Sequence, residues 1–353
     1  MSFLPGTLHT RYRDEVRLLD SGFMRFWCAA GLFAALITPL ALSNFWTGIA
    51  NQSLIAIVGA LALNLLMGVT GQISLGHAGF LAAGAFTAAA LATHFNAPIV
   101  VSLVCAMIGG ALIGVLVGLP ALRLKGLYLA VSTLAAHFVI IVGLGQYQNA
   151  ASDGAGFAMP PPSAFGFSIS TERQWFYALL PVAIVVLLIQ INWLRSEFGR
   201  AWMAIHHRDV SAEVLGINVA RYKLYAFSAS TALTCLCGAL SAYHTGFVSV
   251  DAFDVHLLIQ YLAMVIIGGL GSLLGAILGA IFVIVTPHLI TVAANAMSPL
   301  QGMGGKIFEI EIGLFGVIML IFLVLEPRGL AGIWARVSAY FLLWPFKFRA
   351  WES

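Results

Sequence analysis

Apolar runs long enough to cross a lipid bilayer recur along this chain from Gly22 to Leu325, and they constrain its fold more than any motif. A helix needs about 20 apolar residues to span hydrocarbon, and backbone groups in lipid must be satisfied internally, so repeated runs of this length specify a bundle of membrane helices. Of the 353 residues 61% are apolar and 9% charged, with a mean hydropathy of +0.97. Soluble domains carry about 25% charge, so that class is excluded. A membrane β-barrel would show short alternating segments, and the sequence has none. The expected fold class is all-α, a polytopic helical membrane protein with about ten transmembrane segments, some short or broken, and both termini cytoplasmic.

Breaks at charge, Gly and Pro place the segments at 22–42, 47–68, 72–93, 98–118, 126–148, 174–194, 223–243, 256–269, 272–290 and 307–325. The 35 apolar residues from His256 to Ile290 are too many for one span and are interrupted by "GGLGSLLG", Gly268 to Gly275, which suits a turn or unwound joint. With ten spans and a cytoplasmic N-terminus, 15 of the 17 Lys and Arg fall on the cytoplasmic side, Arg173 and Lys306 being the exceptions. That asymmetry is what the positive-inside rule requires, and nine spans would put the basic C-terminus on the wrong face. Residues 1–21, too polar for the start of a signal peptide, are expected to be a cytoplasmic segment, and 22–329 the transmembrane domain. The tail 330–353, mixing Trp334, Tyr340, Trp344 and Trp351 with Arg336, Lys347 and Arg349, suits the membrane interface.

Cys28, Cys105, Cys235 and Cys237 all lie in apolar segments, and a helix points Cys235 and Cys237 apart, so neither metal nor disulfide is implied. The external loop 148–173 is rich in Gly and Pro and reads either as a docking or gating loop or as a loose connection. Asp251 and Asp254, in the link from Thr245 to Val255, are candidates for meeting an external partner or for simple solvation.

The cytoplasmic loop 195–223, "RSEFGRAWMAIHHRDVSAEVLGINVARYK", has its own helical pattern. Phe198, Trp202, Ile205 and Val210 make an apolar stripe opposite Arg200, His207 and Arg208; Ser211 caps or interrupts it, and "AEVLG" gives a short helix stopped by Gly216. This loop resembles the cytoplasmic coupling loop of ABC importer permeases, whose "EAA...G" element inserts into a cleft of the ATPase subunit.

The wider chain is similar to the LivM-type permease subunit of branched-chain amino acid ABC transporters. The resembling pieces include "LNLLMGVTGQISLGHAGFLAAGAFTAA" (Leu63 to Ala89), "GLPALRLKGLYLAVSTLA" (Gly118 to Ala135), the loop and the helix after it (Phe198 to Ser230), "MVIIGGLGSLLGAILGA" (Met264 to Ala280) and "EPRGLAGI" (Glu326 to Ile333). The resemblance implies a permease in the inner membrane of a bacterium that pairs with a related second permease, two cytoplasmic ATP-binding subunits and a periplasmic substrate-binding protein. It implies no cofactor in this chain, ATP and Mg being bound by the ATPases, and ATPase coupling through Arg208, Asp209, Ala212, Glu213 and Gly216. The chain has no phosphate-binding loop, since "GGKI" at Gly304 to Ile307 lacks the first glycine and the hydroxyl. Two departures stand out. The loop has "HHRDVSAE" where relatives carry an acidic run, and "SDGAGF" (Ser152 to Phe157) where they tend to have a threonine and paired glycines.

Polar side chains within "VTGQISLGHAGF", Val69 to Phe80, are costly at membrane depth. Gln72, Ser74 and His77 are the candidates for a substrate path; Gln72 and Ser74, being neutral, suit a pore releasing what it admits, whereas a lone histidine such as His77 is more often a structural hydrogen-bonded group. On a continuous helix Gln72 and Gly76 would share a face; alternatively the helix breaks near Gly71. Gly76, Gly79, Gly268, Gly269, Gly271 and Gly275 are expected to serve close helix packing. Glu309 and Glu311 read as a solvated mouth or as guides for an ammonium group. The expected function is a subunit forming half of a path for branched-chain or other hydrophobic amino acids; permeases of this type for urea, short amides or aromatic acids are the alternative. A self-sufficient carrier would bury acids mid-span, and the second to seventh segments contain none. A membrane enzyme would need a catalytic constellation that the scattered histidines do not supply, and nothing implies nucleic acid.

Overall fold

In the computed structural model the described residues are 35–124, 126–164, 167–296 and 329–343, with a few single positions near 31 and 313–320. They form an all-helical bundle with short β pairings, and eight of its helices are long and apolar enough to cross a membrane. The spans are α1 (Asn44–Asn64, extended by a π turn at Leu65–Val69), α2 (His77–Phe95), α3 (Ile99–Ala121), α4 (Leu127–Ser152), α5 (Glu172–Arg195), α8 (Val219–Thr245), α9 (Val255–Gly268, which reaches spanning length only together with the 3-10 turn at Val250–Ala252) and α10 (Leu273–Ala296). The loop helices α6 (Glu197–His207) and α7 (Asp209–Val214) lie between α5 and α8, and α11 (Gly329–Leu343) closes the described chain. Of the expected first span, residues 35–41 are helical and the rest lies outside the described residues, as do the N-terminal segment, Cys28, most of the 307–325 span, Lys306, Glu309, Glu311 and the tail beyond 343.

The core is built around α8, which packs along α3, α2 and α1. Glycines allow that approach. A Cβ on Gly84 of α2 would lie 2.0 Å from the Cys235 carbonyl oxygen, and one on Gly238 of α8 would lie 2.0 Å from that of Leu81. On α3 the spacing Gly110, Gly114, Gly118 presents a groove to Cys235, Thr231 and Leu224 of α8. Lipid offers apolar side chains no gain from burial, so close van der Waals contact of this kind carries the association. Cys235 and Cys237 point to different neighbours, donating to the carbonyls of Phe80 and Ile55 respectively. The remaining faces of α3, α4, α5 and α10 are apolar and exposed, as a lipid boundary requires.

Helix α9 has 14 residues, about 21 Å, short of the full hydrocarbon thickness. It stops at the predicted joint, where Gly269 and Gly271 adopt φ +107 and +80, a backbone region that favours glycine. These two glycines therefore serve the turn rather than helix packing, although Gly271 also abuts the backbone of Gly68. Gly268 and Gly275 do pack helix on helix, each within 2.4 Å of the other's carbonyl oxygen if given a Cβ. The freed backbone is satisfied by Asn64 of α1, whose Oδ1 accepts from Gly271 N at 2.9 Å and whose Nδ2 donates to Ser272 O at 3.3 Å. Helix α11 packs over this joint, Gly329 (φ +67) lying against the Ile267–Gly269 backbone.

At the end of the bundle away from α6 and α7, helix α4 runs on to Ser152 and α5 begins at Glu172 behind a Thr171–Gln174 capping box, so the loop proper is 153–171. It is tied down. Strands β1 (Phe157–Ala158) and β4 (Phe247–Val248) pair antiparallel, and Gln148 accepts from Val250 N at 2.9 Å while donating to Gly154 O at 2.9 Å. Strands β2 (Ser163–Ala164) and β3 (Phe167–Ser168) make a second antiparallel pair. Asp254 caps α9 through Leu257 N and Asp251 accepts from the Ser249 hydroxyl, so both acids have local roles.

Candidate functional site

The polar stretch is not helical. After the π turn the chain runs unwound from Thr70 to Gly76, with Gly71 at φ +69, and α2 begins only at His77. Gln72 and Gly76 therefore do not share a helix face, and the segment placed at 72–93 starts five residues late. The unwinding follows from tertiary partners: Gln72 N donates to Leu66 O, Leu75 N donates to Thr133 Oγ1 of α4 at 2.8 Å, and Gly76 N donates to Ser74 Oγ. Gly76 and Gly79 lie against α4, where added Cβ atoms would approach Thr133 O and His137 Cα at 2.9 Å.

The three path candidates are buried but separate. The Gln72 amide donates to Thr70 Oγ1 at 3.1 Å and to Lys223 O at 3.3 Å, which ties it to the start of α8. Ser74 is absorbed by its local turn. His77 points inward, with Nδ1 3.3 Å from Thr234 Oγ1 and its ring 4.8 Å from that of Tyr261; its Nε2 meets no hydrogen-bond partner among the described residues.

Gln72 instead faces the loop between α5 and α8. Trp202 anchors that loop: its indole is buried and donates to Tyr222 O at 2.9 Å. The apolar stripe is buried at Trp202 and Ile205 but not at Phe198 or Val210, which are 41% and 69% exposed. The backbone turns extended at Arg208 (φ −159, ψ 116), so α7 starts in a new phase and buries Ala212 instead. Arg208, not Ser211, occupies the N-cap position, and Ser211 lies inside α7. The helix ends in a Schellman motif, Ile217 N to Ala212 O and Gly216 N to Glu213 O, with Gly216 at φ +83. Val214 and Leu215 project from its end, 83% and 76% exposed.

A chain of contacts joins the two features. Lys223 Nζ donates to Asp209 Oδ2 at 2.6 Å, at the first residue of α7, and the Lys223 carbonyl holds Gln72. His206 of α6 lies against Gly71. Sequence patterning missed Lys223, Thr133 and Asn64 because their roles are set by partners about 60 to 210 residues away. It also missed a polar knot at the other end of the bundle, where Asn51 Nδ2 donates to Glu172 Oε2 at 2.7 Å and His244 Nε2 lies 3.3 Å from the same oxygen. Glu172 thus enters the first turn of α5, although the middle of that span is free of acids. Among the described residues no three His, Cys, Asp or Glu are placed to hold a metal.

The family described as branched-chain amino acid transport system / permease component matches residues 45–324. The chain belongs to this family. The permease is 30% identical over 330 residues to the high-affinity branched-chain amino acid transport system permease protein LivM of Escherichia coli, covering 87% of this chain and 74% of that protein. It is 24% identical to the probable branched-chain amino acid transport permease protein LivM of Methanocaldococcus jannaschii, over 85% of this chain and 90% of the relative. A more distant likeness, 27% over 56% of this chain and 61% of the other, is to the galactose/methyl galactoside import permease protein MglC of Haemophilus influenzae. No solved structure matches the chain. The permease is thus a multi-pass membrane subunit of an ABC importer.

Proposed function

We propose that this permease forms half of the translocation path for branched-chain or other hydrophobic amino acids in a bacterial inner membrane. In this reading it pairs with a related second permease and receives substrate from a periplasmic binding protein. Two cytoplasmic ATPases supply the energy, binding ATP and Mg themselves. The observation that carries the coupling half of this proposal is α7, a one-and-a-half-turn helix held from behind by Ala212 and Lys223 and presenting Glu213, Val214 and Leu215 outward. Such a knob suits a cleft in a soluble partner. Movement of α7 reaches the unwound stretch through Asp209, Lys223 and Gln72. Gln72 is then the path residue in closest touch with the drive; Ser74 and His77 shape the wall behind it, and Arg208, Asp209, Ala212, Glu213 and Gly216 form the lever.

The test is uptake by proteoliposomes holding the complete complex. A valine at Gly216 is strained at φ +83, and Glu213→Lys reverses the charge at the tip. Both variants should lower uptake at least about tenfold, the scale of one lost interface contact, while the two permeases stay assembled. Normal uptake in both would overturn the lever assignment. Competition of labelled leucine by urea, short amides and aromatic acids fixes the substrate class.

A further inference from the structure

Behind α7 lies a cleft of about 280 Å³ that the coupling role does not explain. It is bounded by the unwound residues Thr70–Gln72, by Gly126 and Leu129 at the foot of α4, and by His206, His207 and Arg208 where α6 turns into α7. Its charge is one-sided. Asp209 is the single acid in its lining, and Lys223 holds that carboxylate at 2.6 Å. His206, His207 and Arg208 are exposed, and Arg208 makes no ion pair among the described residues. Next to Gly126 the rim carries Leu127 and Tyr128, 75% and 76% exposed, at the first turn of a membrane-crossing helix.

We propose that this cleft binds the phosphate of an anionic phospholipid. A guanidinium with two imidazoles offers charge-assisted donors to phosphate oxygens, with the fork of Arg208 able to make two bonds at once. The exposed Leu127 and Tyr128, next in the chain to Gly126 of the lining, offer apolar surface to acyl chains, which a free soluble anion would not need. Among the described residues the one acid of the lining is already paired, so they offer no counter-charge for a choline or ethanolamine headgroup. A lipid seated there braces the α6–α7 corner against Gly71 and Gln72, which makes transmission from α7 sensitive to membrane composition. Binding of the lipid goes beyond the transport reading; only its effect on transmission rests on that reading.

Retained lipid on the assembled transporter measures the site directly. The complex is exchanged into nanodiscs of phosphatidylcholine with phosphatidylglycerol, extracted, and scored by native mass spectrometry. Wild type should keep phosphatidylglycerol in preference to phosphatidylcholine. Arg208→Gln should lower that retention about tenfold, the effect of one charge-assisted contact, whereas Arg173→Gln on the opposite side of the bundle should leave it unchanged. The exposed pair His206→Ala/His207→Ala is a second variant, and a matched unfolding midpoint in pure phosphatidylcholine confirms that each variant is folded. Undiminished phosphatidylglycerol in both variants overturns the proposal. So does wild type stabilised by inorganic phosphate as strongly as by the lipid, since the cleft would then take a soluble anion.

Discussion

Single glycines in this bundle divide sharply by what lies beside them. Gly84 has the Cys235 carbonyl where a methyl group would sit, whereas Gly109, also on a membrane helix, has nothing within 4 Å. Gly84→Ala should therefore destabilise the permease by about 1–3 kcal/mol, the usual cost of overpacking, and Gly109→Ala should cost nothing measurable. Thermal unfolding of the two variants in the same detergent separates them, and equal midpoints would contradict the packing account. Sequence alone does not distinguish these residues, because both lie in apolar runs. The difference comes from the crossing of α2 and α8, a contact between segments about 150 residues apart. The same holds for Gly269 and Gly271, whose positive φ shows only once the joint is built.

At the scale of elements, the span positions between residues 44 and 296 were legible because run length and charge breaks are local properties. The joint at Gly268–Gly275 was legible for the same reason. A break near Gly71 was legible as one of two readings, but the start of α2 at His77 was not, since the length of the unwound stretch Thr70–Gly76 is set by bonds to Thr133 and Leu66. Nor was the phase break at Arg208, which displaces Val210 from the stripe. Asn64 shows what such breaks demand. It supplies both a donor and an acceptor to the α9–α10 joint, so Asn64→Leu leaves the Gly271 N–H and the Ser272 carbonyl without that partner. The expected loss is about 1–3 kcal/mol for each orphaned group, read as a lowered unfolding midpoint together with faster proteolysis near residue 270. An unchanged midpoint would mean that the joint finds its bonds elsewhere.

Across the whole molecule, two unwound segments flank α1 and α9 toward the loop end of the bundle. The α6–α7 loop reaches the first of them through side chains rather than through its backbone alone. This arrangement gives a physical route from the exposed tip of α7 to the polar stretch, and among the described residues no acid lies in the middle of a span. The family assignment says that the chain is a permease; the proposed drive runs through the Gln72–Lys223–Asp209 connection. A double-mutant cycle on Gln72→Leu and Asp209→Asn, read as substrate moved per ATP hydrolysed in proteoliposomes holding the complete complex, tests that connection most directly. If the three residues act as one network, the two effects are non-additive by at least about 0.5 kcal/mol, the double variant being little worse than either single one. Strict additivity would contradict a coupling route through Lys223.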